Sequence, residues 1–105
     1  LSTLQTTEIQ LENNTNSNEL PQLQQNQPNP FSDHTIIQYY IPKSVQQAQL
    51  QFHDLNGKVL KVMEINQKGS GQVELETAAL VSGTYSYSLV LDGKVFETKR
   101  MVLSR

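Results

Sequence analysis

The chain has 105 residues, with 8 basic and 10 acidic side chains, a net charge of −2, and neither cysteine nor tryptophan. The missing cysteines exclude a disulfide scaffold, a thiolate metal site and a cysteine nucleophile. The length allows one domain, the near-neutral charge argues against nucleic acid as main partner, and no apolar run approaches the ~18 residues of a membrane-spanning helix.

Residues 1–27 hold eleven Gln and Asn side chains, carry Glu8, Glu12 and Glu19, and contain no base. The run Asn13-Asn14-Thr15-Asn16-Ser17-Asn18 favours turns over helix. Residues 1–22 therefore read as a flexible acidic linker and residues 23–105 as the folded domain. The start at Leu1, with no initiator Met, reads as a cut from a longer chain. A short first strand is expected within residues 22–26, just before Pro28. Thr35, Ile37, Tyr39 and Ile41 then alternate along a strand that Pro42 closes. Ala48, Leu50 and Phe52 alternate next, and Asn56-Gly57 predicts a type I′ hairpin turn into a strand from Val59 to Ile65. Lys68-Gly69-Ser70-Gly71 reads as a turn, Val73 and Leu75 as a strand, and Thr77-Ala78-Ala79-Leu80 as a short helical turn. Tyr85, Tyr87, Leu89 and Leu91 alternate along a long strand, Asp92-Gly93 is a second type I′ signal, and Val95 to Leu103 returns as the last strand. Strands with turns every 8–15 residues, and no helix long enough for a crossover, predict an all-β fold. The expected architecture is a small antiparallel immunoglobulin-like sandwich of about seven strands.

No catalytic set stands out. Asp33-His34 and His53-Asp54 are sequence neighbours, which point to opposite faces of a strand, and they read as exposed polar residues. Gly57, Gly69, Gly71, Gly83 and Gly93 read as turn glycines, and Gly69-Ser70-Gly71 lacks the helix of a phosphate loop. Asn13-Asn14-Thr15 matches a glycan acceptor pattern. The chain is expected to be neither an enzyme nor a cofactor or metal binder. Tyr39, Tyr40, Tyr85 and Tyr87 raise the alternative of a non-catalytic adhesion or carbohydrate-binding module, although Tyr39, Tyr85 and Tyr87 alternate on apolar faces.

Two segments stand apart. In Gln25-Asn26-Gln27-Pro28-Asn29-Pro30-Phe31, two prolines stiffen the way into the domain and a lone aromatic follows, placed to plug the end of the sandwich. At the other end, residues 94–105 carry Lys94, Lys99, Arg100 and Arg105 against Glu97, a local charge of +3. Lys99-Arg100 interrupts an apolar strand, which reads either as an edge guarded by charge or as a basic recognition edge.

With Thr35-Ile36-Ile37-Gln38-Tyr39-Tyr40-Ile41-Pro42, Asp54-Leu55-Asn56-Gly57-Lys58, Leu80-Val81-Ser82-Gly83-Thr84-Tyr85, Asp92-Gly93-Lys94 and Thr98-Lys99-Arg100-Met101-Val102-Leu103, these segments resemble in order and spacing the type A C-terminal sorting domain of the type IX secretion system of Bacteroidota. The resemblance covers roughly residues 22–105. It implies a secretion signal that takes a preceding cargo domain through the periplasm and across the outer membrane to the cell surface or beyond. The implied partners are the outer-membrane translocon, shuttle proteins and a sortase-like peptidase, with no small-molecule substrate. It further implies sorting or recognition roles for Pro28, Asn29, Pro30, Phe31, Gly83, Tyr85, Lys99, Arg100, Met101, Val102 and Leu103. By the same analogy, cleavage falls in the linker, at Asn13, Asn14, Thr15, Asn16, Ser17 or Asn18, since a protease needs an extended, unpaired segment.

Overall fold

Alternating buried and exposed residues along most of the strands let two sheets bury their facing sides. The computed structural model describes residues 19–76, 78 and 80–105. Among these residues there are seven strands: β1 (Gln22–Leu23), β2 (His34–Ile41), β3 (Ala48–His53), β4 (Val59–Ile65), β5 (Gly69–Glu76), β6 (Gly83–Leu91) and β7 (Lys94–Leu103). They form a three-stranded sheet in the order β1-β2-β5 and a four-stranded sheet in the order β4-β3-β6-β7. Each strand pair is antiparallel. The all-β expectation holds, with two antiparallel sheets and no helix among the described residues.

The core follows the period of two. Ile37 and Ile41 of β2, Leu50 and Phe52 of β3, Tyr87 and Leu89 of β6, and Met101 and Leu103 of β7 are all nearly inaccessible. Each buried aliphatic side chain is worth roughly 1.5–3 kcal/mol relative to exposure. The Phe52 and Tyr87 rings meet tilted, with centroids 6.3 Å apart.

Three turns test the local reading. Asp92 and Gly93 both have positive φ, 49° and 82°, as a type I′ turn requires. The Asp92 carboxylate also accepts hydrogen bonds from the Gln46 and Gln47 amides, which pins the β2–β3 loop to this hairpin. Asn56-Gly57 is different, because only Gly57 has positive φ. The Gly57 amide bonds the Asp54 carbonyl, and the Asp54 amide bonds the Lys58 carbonyl. The Asp54 carboxylate accepts from the Asn56 and Lys58 amides. An aspartate able to cap its own turn thus replaces the expected type I′ geometry.

The second correction concerns Gly69-Ser70-Gly71. This run is the first part of β5, not a turn. Gly71 lies opposite Tyr39 in the β2–β5 ladder. A Cβ built there would stand 2.7 Å from the Tyr39 hydroxyl oxygen, and ring carbons lie within 2.9 Å. Gly71 is needed because an aromatic ring lies across its backbone, a cause that sequence spacing does not reveal. Of the expected helical turn, Thr77 and Ala79 lie outside the described residues, and Ala78 is in a turn.

Gly71→Ala is expected to cost on the order of 1 kcal/mol, because the Tyr39 ring must swing away. In a Tyr39→Ala background the same substitution should cost almost nothing. Urea denaturation of the four proteins of this double-mutant cycle checks the coupling.

Candidate functional site

The two segments singled out in the sequence come together. Residues 22–31 form a strap that crosses from one sheet to the other. Its first half runs along β2: Gln22 and Leu23 pair with Tyr40 and Tyr39, the Gln24 amide bonds the Gln38 carbonyl, and Gln27 and Ile36 exchange backbone hydrogen bonds of 2.9 Å. Its second half lies on β7. The Phe31 amide donates to the Val102 carbonyl at 2.9 Å, and the Ser104 amide donates to the Phe31 carbonyl at 2.8 Å. Between these halves the chain bends, with cis peptides at Gln27-Pro28 and Asn29-Pro30.

Proline has no N–H to offer a strand edge, so this part of the strap cannot pair as a strand. Side chains supply the missing partners. The Asn29 carboxamide oxygen accepts the Val102 amide at 2.9 Å, and the Gln25 carboxamide donates to the Arg100 carbonyl at 2.6 Å. The outer edge of β7 from Arg100 to Ser104 is therefore occupied by the protein itself. A recognition edge open to strand pairing was one sequence expectation for this segment. Over these residues the strap already holds it.

A buried polar cluster fixes the strap. Asn26 is 1% exposed and Thr35 0%. The Asn26 carboxamide donates to the Pro28 carbonyl and to the Thr35 hydroxyl, both at 3.0 Å, and its oxygen accepts from Gln25. Thr35 in turn donates to the Pro28 carbonyl at 2.8 Å. The Tyr87 hydroxyl donates to the Gln24 carbonyl at 2.7 Å and accepts from the Asn26 amide at 2.8 Å. Burial pushes the Tyr87 phenol up to about 12, against the opposing effect of the Asn26 amide bond. Sequence reasoning gave Asn26 and Thr35 no buried polar role and weighed Tyr87 as a core ring or a platform aromatic, not as a hydrogen-bonding anchor. The available signal was an Asn just before the first proline and a Thr opening an alternating apolar run.

The basic end divides by face. Met101 and Leu103 are 1% exposed and belong to the core. Lys99 is half-buried, and its ammonium lies 3.0 Å from the Glu97 carboxylate. Arg100 points the other way, is exposed, and borders a shallow depression with His53, Asp54, Ser86 and Thr98. Val102 is half-buried. Gly83 is exposed and opens β6, whereas Tyr85 is 7% exposed. The Tyr85 hydroxyl donates to the Val81 carbonyl at 2.5 Å, the tyrosine corner of immunoglobulin-like sandwiches. Pro28, Asn29 and Pro30 are exposed and Phe31 is 2% exposed within the core cluster. Asn13, Asn14, Thr15, Asn16, Ser17 and Asn18 lie outside the described residues.

His34 and Glu74 approach to 4.0 Å while both stay exposed. Among the described residues no three His, Asp or Glu side chains converge as a metal cluster. Tyr85 and Tyr87 are core rings, so only Tyr39 and Tyr40 of the four tyrosines have partly accessible side chains.

The described residues form a small all-β sandwich in which residues 22–31 bridge the two sheets and bond the C-terminal half of β7. The profile of the secretion system C-terminal sorting domain matches residues 27–104, and the chain belongs to that family. It is a C-terminal sorting signal for type IX secretion, which engages the type IX machinery and implies export to the cell surface or secretion. The match does not support the adhesion reading. No curated protein and no solved structure matches the chain significantly.

Asn26→Ala is expected to cost about 1–3 kcal/mol, because it strips buried partners from Pro28 and Thr35. Asn29→Ala should cost less and speed hydrogen exchange at the Val102 amide selectively, as read by NMR. Above pH 10 the unfolded chain gives up its Tyr87 proton while the folded chain keeps it to about 12. That stabilisation is complete below pH 10 and is lost as pH rises toward 12. Tyr87→Phe should reduce the fall in urea midpoint between pH 9 and pH 11.

Proposed function

We propose that the strap and the C-terminal half of β7 act as one recognition unit for the type IX machinery. The observation that carries this reading is the pairing of Asn29 and Phe31 with Val102 and Ser104, which ties the two segments that mark the family into one surface. In this unit Arg100 and Val102 face outward as the contact residues. Asn29, Phe31, Met101 and Leu103 hold β7 in place, and Lys99 contributes through its pair with Glu97. Gly83 and Tyr85 shape the corner from which β6 starts.

The partners in this reading are the outer-membrane translocon, its shuttle proteins and a sortase-like peptidase. A cargo domain precedes the signal, passes through the periplasm with it, and is freed by cleavage between residues 13 and 18. The domain itself carries out no chemistry. Its work is to be recognised while folded, so its stability and its outward face are what matter.

Residues 22–105 fused to a periplasmic reporter in a type IX-competent host should export the reporter, and retention in the periplasm would overturn the reading. Within that fusion Arg100→Glu should cut export about tenfold or more with an unchanged melting temperature, since reversing an outward charge alters partner contact more than folding. Lys99→Ala should lower the melting temperature slightly and cut export less. Equal export by wild type and Arg100→Glu would remove Arg100 from the contact.

A further inference from the structure

Antiparallel register lines up residues of β3, β6 and β7 in rows across the four-stranded sheet. His53 lies opposite Ser86, and Ser86 lies opposite Arg100. The next row is Gln51, Ser88 and Thr98. The alternate residues Phe52, Tyr85, Tyr87 and Met101 are buried in the core, so both rows belong to the outer face. His53 and Arg100 stand two strand spacings apart, about 10 Å, with Ser86 between them. Arg100 is exposed, and His53 and Ser86 are half-buried. All three line one shallow depression, floored by Ser88 and Thr98.

The groups around this depression divide into engaged and unengaged. The Ser88 and Thr98 hydroxyls bond each other at 2.7 Å. The Asp54 carboxylate at the rim is turned into its own loop, where it accepts from the Asn56 and Lys58 amides. Among the described residues the side chains of His53, Ser86 and Arg100 make no hydrogen bond or ion pair. All three are donors: the guanidinium carries only N–H groups, the imidazole at least one, and the hydroxyl turns to suit its partner. Acids are kept away from them on this face. The outward positions of β3, of β6 and of residues 98–102 hold no acid, and Arg100 is their one formal charge. Glu64 of β4 sits two rows away, opposite Gln49, and accepts from its carboxamide.

We propose that this row is a carboxylate site, in which an aspartate or glutamate side chain of the type IX machinery lands over Ser86, between Arg100 and His53. The inference rests on the reading of Arg100 as a contact residue, and it carries that contact from β7 across to β3. A carboxylate takes two parallel N–H bonds from a guanidinium and keeps lone pairs for the serine and the imidazole. A single exposed arginine is screened and undiscriminating. Three donors converging on one point select a carboxylate and fix where it sits.

An NMR titration of the purified full chain tests the site. The probes are a tetrapeptide with two central glutamates and its glutamine counterpart. The glutamate peptide should shift the His53, Ser86 and Arg100 amides at millimolar concentration, and the glutamine peptide should not. Arg100→Gln and Ser86→Asp should each weaken that binding about tenfold or more, the second because its own carboxylate fills the row. Lys94→Gln removes a charge at the far end of β7 and should leave binding unchanged. Melting temperatures near that of the unaltered chain check that each variant is folded. No shift, equal shifts with both peptides, or an equal loss in Lys94→Gln overturns the site. Larger shifts with inorganic phosphate than with the glutamate peptide assign the row to a phosphate and also overturn it. A failed titration with export still sensitive to Arg100→Glu removes the carboxylate site and leaves Arg100 as a contact. Export insensitive to Arg100→Glu removes the contact reading itself.

Discussion

The C-terminal end of this domain depends on one buried hydroxyl, that of Tyr87. It sits on β6 in the middle of the four-stranded sheet, and its ring packs in the core. Its oxygen donates to Gln24 and accepts from Asn26. Both partners belong to the strap, so the core of one sheet holds the segment that closes the sandwich. In a low-dielectric interior such bonds are strong when complete and costly when broken. Asn26 and Thr35 complete them, satisfying the Pro28 carbonyl as well. A polar cluster of this kind specifies one arrangement of the strap, where apolar packing alone tolerates several.

From that anchor the strap reaches β7. Two prolines withhold N–H donors there, and the carboxamide oxygen of the Asn between them accepts the Val102 amide in place of a backbone carbonyl. The result solves two problems together. The C-terminal half of the last strand is covered by the strap, and Arg100 stays exposed on its outer face. The division of Lys99 from Arg100 follows from the same geometry. Neighbours on a strand face opposite ways, so one basic side chain turns to Glu97 and the other to solvent.

The charge asymmetry of the chain takes on a physical meaning in this frame. The acids at residues 8, 12 and 19 precede a domain whose last strand carries Lys94, Lys99 and Arg100 against Glu97. Of these, Glu19 already meets Tyr40, at the foot of the strap. Among the described residues, β4 and β5 end their sheets on the side away from the strap.

Much of this was legible in the chain itself. Period-two alternation located β2, β3, β6 and part of β5, because one face of each strand must be buried and that demand is local, while β4 and β7 were read as the return strands after Asn56-Gly57 and Asp92-Gly93. Asp92-Gly93 announced its turn, since positive φ at two adjacent positions is a backbone property of those residues. The family resemblance rested on motifs that survive as sequence. Other features were decided only by the tertiary structure. Gly71 is required by the Tyr39 ring across the ladder, and the Asn56-Gly57 turn is set by how Asp54 caps it. The roles of Asn26, Thr35 and Tyr87 arise where residues 9 and 61 positions apart meet in the interior. The covered edge of β7 is formed by residues more than 70 positions upstream. Local conformational preference and burial pattern are written along the chain. Partners for buried polar groups and for strand edges come from across the fold, so only packing decides them.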